Sequence, residues 1–222
     1  MISSLKNGFS VASMPLGPID TNCHILYQGS QALIIDAPLD SLSAIRNFLE
    51  ERKLDPLALL LTHGHWDHMG GAAVLAQTLG LPVWANRNDL LMFESPQIMR
   101  AYAGDWELKP VNIDYFLDFA DSNAPFIPIT IGEFQAEAYA MPGHTPGGVA
   151  YYFPQADCVM TGDQLFRDSV GRSDFPGGNF ELLAASIRKS LYQLPGETVV
   201  FPGHRNTTTI RREMECNPFV PA

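Results

Sequence analysis

Sulfur, positive charge and long apolar stretches are all scarce in this chain, and each shortage excludes a class of function. Cys23, Cys158 and Cys216 are scattered through 222 residues with no Cys-x-x-Cys pair. That excludes a thiolate zinc knuckle and a disulfide framework, and leaves reduced, mostly packed thiols. Only 14 Lys and Arg stand against 24 Asp and Glu, a net charge of −10, so nucleic acid and anionic membrane surfaces are repelled as partners. Bound divalent metals reverse that sign locally and leave room for a small anionic ligand. No uninterrupted apolar run approaches the length needed to span a bilayer, and residues 1–8 lack the apolar region of a signal peptide. With reduced cysteines, this predicts a cytoplasmic protein. No repeat or low-complexity tract interrupts the chain.

What is present is an apolar fraction of 46%, enough for a substantial core, and the length suits one domain over residues 1–222. Short strands are expected near 9–14, 23–28 and 32–36, separated by Gly17-Pro18 and Gly29-Ser30. Leu42, Ile45, Phe48 and Leu49 then form a helical stripe with Asp40 and Ser41 as capping candidates, followed by a strand at 57–61. Strand, helix, strand indicates α/β layering. A second helical pattern covers 72–79 and closes at Gly80, and a third is expected around 87–101. Trp106, Tyr115, Phe116 and Phe119 follow in a less regular stretch between 86 and 125; they either close the core or wall a substrate cleft. Extended runs recur at 127–131, 136–141, 149–153, 158–160 and 198–201. One further helix is expected from Phe180 to about Tyr192, with Leu182, Leu183, Ile187 and Leu191 toward the core.

Five of the six histidines fall where a dinuclear metal centre could use them. Thr62-His63-Gly64-His65-Trp66-Asp67-His68 follows the apolar run 57–61 and must lie on a turn leading into a helix. Close histidines repel one another on protonation and need a purpose to coexist. Three later extended runs end in polar residues of the same chemistry: Pro142-Gly143 delivers His144, Thr161-Gly162 delivers Asp163, and Pro202-Gly203 delivers His204. Proline stiffens the strand exit and glycine permits a sharp turn. His63 and His65, two apart, can converge on one ion while Asp67 and His68 turn to a second. His144 and His204 are available to complete the pair, and Asp163 is the natural carboxylate to bridge ions about 3.5 Å apart. His24, within an apparent strand, reads as a hydrogen-bonded structural residue.

The cluster at 62–68, with His144, Asp163 and His204 in that order, resembles the metal signature of the metallo-beta-lactamase superfamily, and the resemblance covers essentially the whole chain. It implies a four-layer αβ/βα sandwich with the metals at one edge of two facing sheets. It also implies that His63, His65 and His144 hold the first metal, that Asp67, His68 and His204 hold the second, and that Asp163 bridges. Residues 165–178, and the ending from Pro202 through Phe219, are similar to short glyoxalase II-like hydrolases. That implies hydrolysis of a thioester such as S-lactoylglutathione by a metal-activated water, with Asp67 and Asp163 as catalytic carboxylates. Two divalent ions are expected, zinc first, with iron or manganese as alternatives.

Three positions depart from that group, which commonly has threonine where this chain has Gln164 and glycine where it has Asp168 and Arg205. Full-length glyoxalase II also adds a C-terminal helical domain that holds glutathione, whereas about eighteen residues follow His204 here. Arg205, beside a ligand, is the first candidate to clamp a substrate carboxylate, with Arg172 and Arg167 after it. The rival expectations are a mononuclear-iron persulfide dioxygenase and a lactonase or beta-lactamase on the same fold; a non-catalytic metal module would need a closed ligand shell.

Overall fold

Apolar residues point to both faces of most strands, so each sheet needs cover on two sides. The computed structural model describes residues 1–119 and 124–222; residues 120–123, at the end of the irregular stretch expected above, lie outside the described residues. In the first half, strands β1 (Ile2–Ser4), β2 (Ser10–Leu16), β3 (Thr21–Gln28), β4 (Gln31–Ile35), β5 (Asp55–Leu60), β6 (Val83–Asn86) and β7 (Tyr115–Leu117) form one sheet in sequence order. Its first four strands are antiparallel and β4 to β7 are parallel. Parallel neighbours require crossovers, and these carry helices α1 (Leu42–Arg52), α2 (Trp66–Met69), α3 (Ala72–Leu79), α4 (Leu90–Glu94) and α5 (Arg100–Ala103).

The second half supplies β8 (Ile127–Ile131), β9 (Phe134–Ala140), β10 (Val149–Phe153), β11 (Cys158–Gly162), the short pair β12 (Leu165–Phe166) and β13 (Ser169–Val170), β14 (Val199–Pro202) and β15 (Thr208–Thr209). Apart from the short pair, these form a six-stranded sheet in the order β15-β14-β11-β10-β9-β8, with helices α6 (Phe180–Lys189) and α7 (Ile210–Cys216).

The period-2 alternation of a strand sorts the core into three layers. Ile34 and Leu59 face Ile45, Leu49 and Leu75 of α1 and α3. Their neighbours Leu33, Ile35, Ala58 and Leu60 face Tyr151, Phe153, Met160 and Phe201 of the other sheet. Ala150, Val159 and Val200 turn the other way, onto Leu183, Ile187 and Leu191. Helices, sheet, sheet, helices is the αβ/βα sandwich expected from the sequence.

Local expectations were met unevenly. The helix expected over 87–101 is broken into α4, α5 and two 3-10 turns, because Pro96 cannot donate a backbone hydrogen bond and Ser95 before it leaves helical geometry at φ −130°, ψ 58°. Leu182 is 46% exposed rather than in the core; its neighbour Leu183 takes the inward position, and successive residues on a helix cannot share it. Ser41 occupies the N-cap of α1, but its hydroxyl makes no capping bond. α6 is capped by Asn179, whose side chain accepts from the Leu182 amide at 2.8 Å.

Candidate metal centre

Three strands of the second sheet run the same way. β9 and β11 are both antiparallel to β10, and β14 is parallel to β11. Their C-terminal ends therefore lie at one edge, where His144, Asp163 and His204 follow. The cluster after β5 meets them from the first sheet. Backbone bonds tie the sheets together at this edge, from Val149 N–H to the Thr62 carbonyl at 2.8 Å and from Asn22 N–H to the Gly203 carbonyl at 2.7 Å. All seven expected ligands converge. Three sets, His63/His65/His144, His63/His68/Asp163 and Asp67/His68/His204, each place their ligand atoms within 4.8 Å of one another.

The glycines before the two later histidines serve different ends. Gly143 has φ +135° and lies against the backbone of Leu183, so it does turn the chain. Gly203 has no left-handed φ; a Cβ there would fall 2.3 Å from Asp163 Oδ1 and 2.5 Å from His68 Cε1. It keeps space for the ligands.

Proton positions follow from the hydrogen bonds. His144 Nδ1 faces the Arg172 carbonyl, which only accepts, so Nδ1 carries the proton and Nε2 a lone pair. Thr62 Oγ1 donates to Asp36 Oδ2 at 2.7 Å and so accepts from His63 Nδ1 at 3.1 Å, which leaves His63 Nε2 with a lone pair too. These two Nε2 atoms stand 3.2 Å apart. Two lone pairs at that distance repel unless a cation lies between them. His68 donates from Nδ1 to Asp36 Oδ2 at 2.7 Å, and its Nε2 lies 3.3 Å from Asp67 Oδ2 and 3.1 Å from Asp163 Oδ1. His68 Nε2 and Asp163 Oδ1 are buried without a hydrogen-bond partner. Imidazole nitrogens and anionic carboxylates around orphaned polar atoms form the donor set that one or two divalent ions require.

In spite of its burial, His68 is raised well above its ordinary range by Asp163, Asp67 and Asp36 around it, whereas His63 and His65 go the other way. Burial, helped by His144, pushes His65 down to about 3, and burial with His68 beside it drives His63 well below its ordinary range. Burial would raise the Asp163 carboxyl, but His68, His144 and His204 outweigh it and hold the group below the usual carboxylate range. Asp163 Oδ2 is 3.7 Å from both His144 Nε2 and His204 Nε2, so the carboxylate stands between the two histidine sets. Asp67 Oδ2 accepts from Thr21 Oγ1 at 2.9 Å and lies 3.1 Å from His204 Nε2. His24 is structural, as expected: Nε2 donates to the Pro202 carbonyl at 3.0 Å and Nδ1 faces Ser13 Oγ at 2.9 Å.

Two carboxylates that organise the site were not anticipated. Asp36, 1% exposed at the end of β4 with φ 60°, accepts from the Thr62 amide, the Thr62 hydroxyl and His68 Nδ1. It fixes His68 directly and His63 through Thr62. The sequence does carry a signal for it, an Asp ending an apolar strand in the manner of Asp163. Asp89 accepts from the Gly64 and Gly147 amides and from Thr145 Oγ1, pinning the loop of His63 and His65 to that of His144. Nothing in its sequence surroundings marks it.

His65, Asp67, His144, Asp163 and His204 form part of the lining of a cavity of about 850 Å³, which His63 and His68 do not reach. Of the expected substrate contacts, Arg205 and Arg172 line it and Arg167 does not; Arg167 lies 3.8 Å from Asp168 instead. Arg172 is already held by Asp174 through two bonds of 2.9 and 2.8 Å and stacks on Phe175. Arg205 sits 5.9 Å over the Phe166 ring and makes no ion pair among the described residues. Its φ is 69°, and that of Asp168 is 59°, so two of the three departures from the glyoxalase II-like pattern put a side chain where glycine is free of strain. Gln164 is fully buried and lies outside the cavity lining. The four aromatics left open by the sequence stay out of the lining: Tyr115 stacks on Trp84 at 4.3 Å, Phe116 lies under Arg87, Phe119 packs on the inter-sheet core, and Trp106 is exposed. Met92, Ile98, Met99 and Tyr102 of the same segment take the place at the cavity.

Comparison with known proteins agrees with this geometry. The chain is 36% identical to the crystal structure of BLEG-1 B3 metallo-beta-lactamase, with a TM-score of 0.85 over 96% of this chain and 100% of that one. It is 35% identical to TTHA1623 in a di-iron-bound form, with a TM-score of 0.81 over 94% and 99%. It is 33% identical to the hydroxyacylglutathione hydrolase GloC of Haemophilus influenzae across 95% of this chain and 98% of that protein. The Lactamase_B family, described as the metallo-beta-lactamase superfamily, matches residues 16–204. With a site of the metal-dependent hydrolase type at the shared edge of two sheets, the chain belongs to the metallo-beta-lactamase superfamily.

Proposed function

We propose that this chain is a dinuclear metal-dependent hydrolase that cleaves a thioester bearing an anionic group, with S-lactoylglutathione as the reference substrate. The observation that carries this reading is the opposed pair of lone pairs on His63 and His144, of which His144, with Asp163, lines the cavity that Arg205 also lines. His63, His65 and His144 would hold one ion and Asp67, His68 and His204 the other, with Asp163 between. Two such ions, zinc first and iron or manganese otherwise, supply a water acidified to about pKa 7 and draw charge from the substrate carbonyl. The Thr21 hydroxyl occupies Asp67 Oδ2 and fixes the direction in which that carboxylate can orient the water. Arg205 binds the substrate carboxylate, Arg172 supports it with its guanidinium over Phe175, and Arg167 stands outside the cavity lining. A C–O bond forms as the C–S bond breaks, giving a carboxylate and a thiol. A thiol of pKa about 8.5 leaves as thiolate without a general acid, which suits a cavity whose carboxylates Asp67 and Asp89 are already held by hydrogen bonds.

The Haemophilus relative's name supports a thioester as substrate, and the di-iron relative supports iron as the alternative metal. The likeness to BLEG-1 favours lactam opening as the second reading. One domain over residues 1–222, a cytoplasmic setting and a small-molecule partner complete the proposal. The cysteines are all free, Cys23 and Cys158 buried and Cys216 exposed, and no helix among the described residues is long and apolar enough to cross a membrane.

Elemental analysis of the purified protein, run beside thiol release from S-lactoylglutathione, ring opening of a chromogenic lactam and an oxygen electrode with glutathione persulfide, tests the reading. Near two metal ions per chain with chelator-sensitive thiol release is expected. One iron with oxygen consumption and no thiol release moves the chain to the dioxygenases, and lactam opening alone moves it to the second reading.

A further inference from the structure

Twelve large apolar residues are notably exposed among the described residues, and four of them, Ile19, Leu91, Ile98 and Tyr102, line the one cavity that holds the ligand cluster. Scattered exposed apolar residues are ordinary, whereas a grouped set marks a binding surface. Three of the four come from the segment that Pro96 breaks. Phe93 and Ala103 of that segment are buried while Leu91, Ile98 and Tyr102 are 65%, 49% and 50% exposed, so its apolar residues divide between the core and the cavity. Charge on the lining is sparse outside the ligand cluster. Arg172 is satisfied by Asp174, which leaves Arg205 as the cation without a carboxylate partner.

Glutathione carries two carboxylates and an ammonium group, and a lactoyl group is small and hydroxylated. Neither covers an apolar wall of this size. Resting on the hydrolase reading above, we infer that the substrate is a thioester whose acyl group is an extended apolar chain, laid along Leu91, Ile98 and Tyr102, and whose leaving thiol carries a single anionic group for Arg205. The division follows from where the two surfaces originate. Leu91, Ile98 and Tyr102 come from the segment after β6, and Arg205 from the loop after β14, where Asn22 holds its carbonyl at 3.0 Å. A substrate with its carbonyl at the ligand cluster and its anion at Arg205 sends its other arm to the wall. Water adds to the acyl carbon, the C–S bond breaks, and a fatty carboxylate and a thiol leave, one proton being released between them.

The test is kcat/KM of the metal-replete protein for acetyl, butanoyl and octanoyl thioesters of mercaptopropionate. Each methylene buried contributes up to about fourfold, so a rise of at least tenfold from acetyl to octanoyl is expected. The double variant Leu91→Ser, Ile98→Ser should cut the octanoyl-to-acetyl ratio about tenfold; both side chains are exposed, so the fold is not at stake. A ratio that is flat or falls with chain length overturns the inference while leaving the hydrolase reading intact. Absence of turnover for every thioester counts against the hydrolase reading alone, and calorimetry then decides the wall: octanoate binding at least tenfold more tightly than acetate upholds it, and equal affinities overturn it.

Discussion

His63 Nε2 and His144 Nε2 face each other at 3.2 Å with the proton of each ring on its far side, held there by Thr62 and by the Arg172 carbonyl. The arrangement is repulsive without a cation, so metal removal should destabilise the fold as well as stop turnover. An ion present at about a thousand times its Kd contributes about 4 kcal/mol. For a chain of this size that is a fall in Tm of about 10 °C on dialysis against a chelator, recovered on adding zinc. Calorimetric scans of the two forms check it, and an unchanged Tm would show that these residues hold no metal.

Asp36 serves three donors at once, and an asparagine has one acceptor oxygen where the carboxylate has two. In Asp36→Asn the NH2 group must face either the Thr62 amide or, flipped, the Thr62 hydroxyl and His68 Nδ1 together, so the Thr62 backbone or the His68 ring loses its acceptor. Metal affinity should fall about 10- to 100-fold, read by competition with a chromogenic chelator. Because Asp36 does not line the cavity at the site, KM for any substrate should move less than the metal affinity does.

Arg205 holds a left-handed φ of 69° that glycine would adopt without strain. Arg205→Gly should therefore stabilise the protein by about 1 kcal/mol while raising KM for an anionic thioester about tenfold. Asp168 is the control. Its φ is 59°, but its carboxylate pairs with Arg212 at 2.7 Å, so Asp168→Gly relieves strain and loses an ion pair together and should gain less. Urea unfolding of both variants, with KM measured on the first, separates the two effects.

The candidate cluster was legible because its members lie on the loops that leave β5, β9, β11 and β14, and β9, β11 and β14 run the same way to one edge. Asp163 and His204 needed only β11 and β14 to be neighbours, which the sequence cannot state but which the layering makes natural. Asp89 was invisible for the opposite reason: it sits in a 3-10 turn and matters through the backbone amides of Gly64 and Gly147 and the Thr145 hydroxyl, far away in sequence. The broken segment over 87–103 misled because its apolar spacing is helical on either side of Pro96, and one proline changed which side chains reach the cavity. Leu182 shows the limit of periodicity at a helix end, where adjacent leucines compete for one inward position.

His24 offers a pH test away from the substrate. Burial pushes its imidazole from 6.5 down to about 4, against the smaller raising effects of the Pro202 carbonyl and Asp36. The unfolded chain binds the proton below about 6.5 and the folded one only below about 4, so the unfolded state holds more protons in that window. Stability from neutral His24 is thus complete above the unfolded value and declines as pH falls between the two, by about 3 kcal/mol in all. His24→Gln keeps a donor within reach of the Pro202 carbonyl and removes the titration. With metal stripped from both proteins, the stability of wild type minus variant, measured by urea unfolding from pH 7.5 to 4, should shrink across that window. A difference that stays constant with pH would mean that His24 can be protonated inside the fold at little cost, and that its two hydrogen bonds rather than its burial govern its charge.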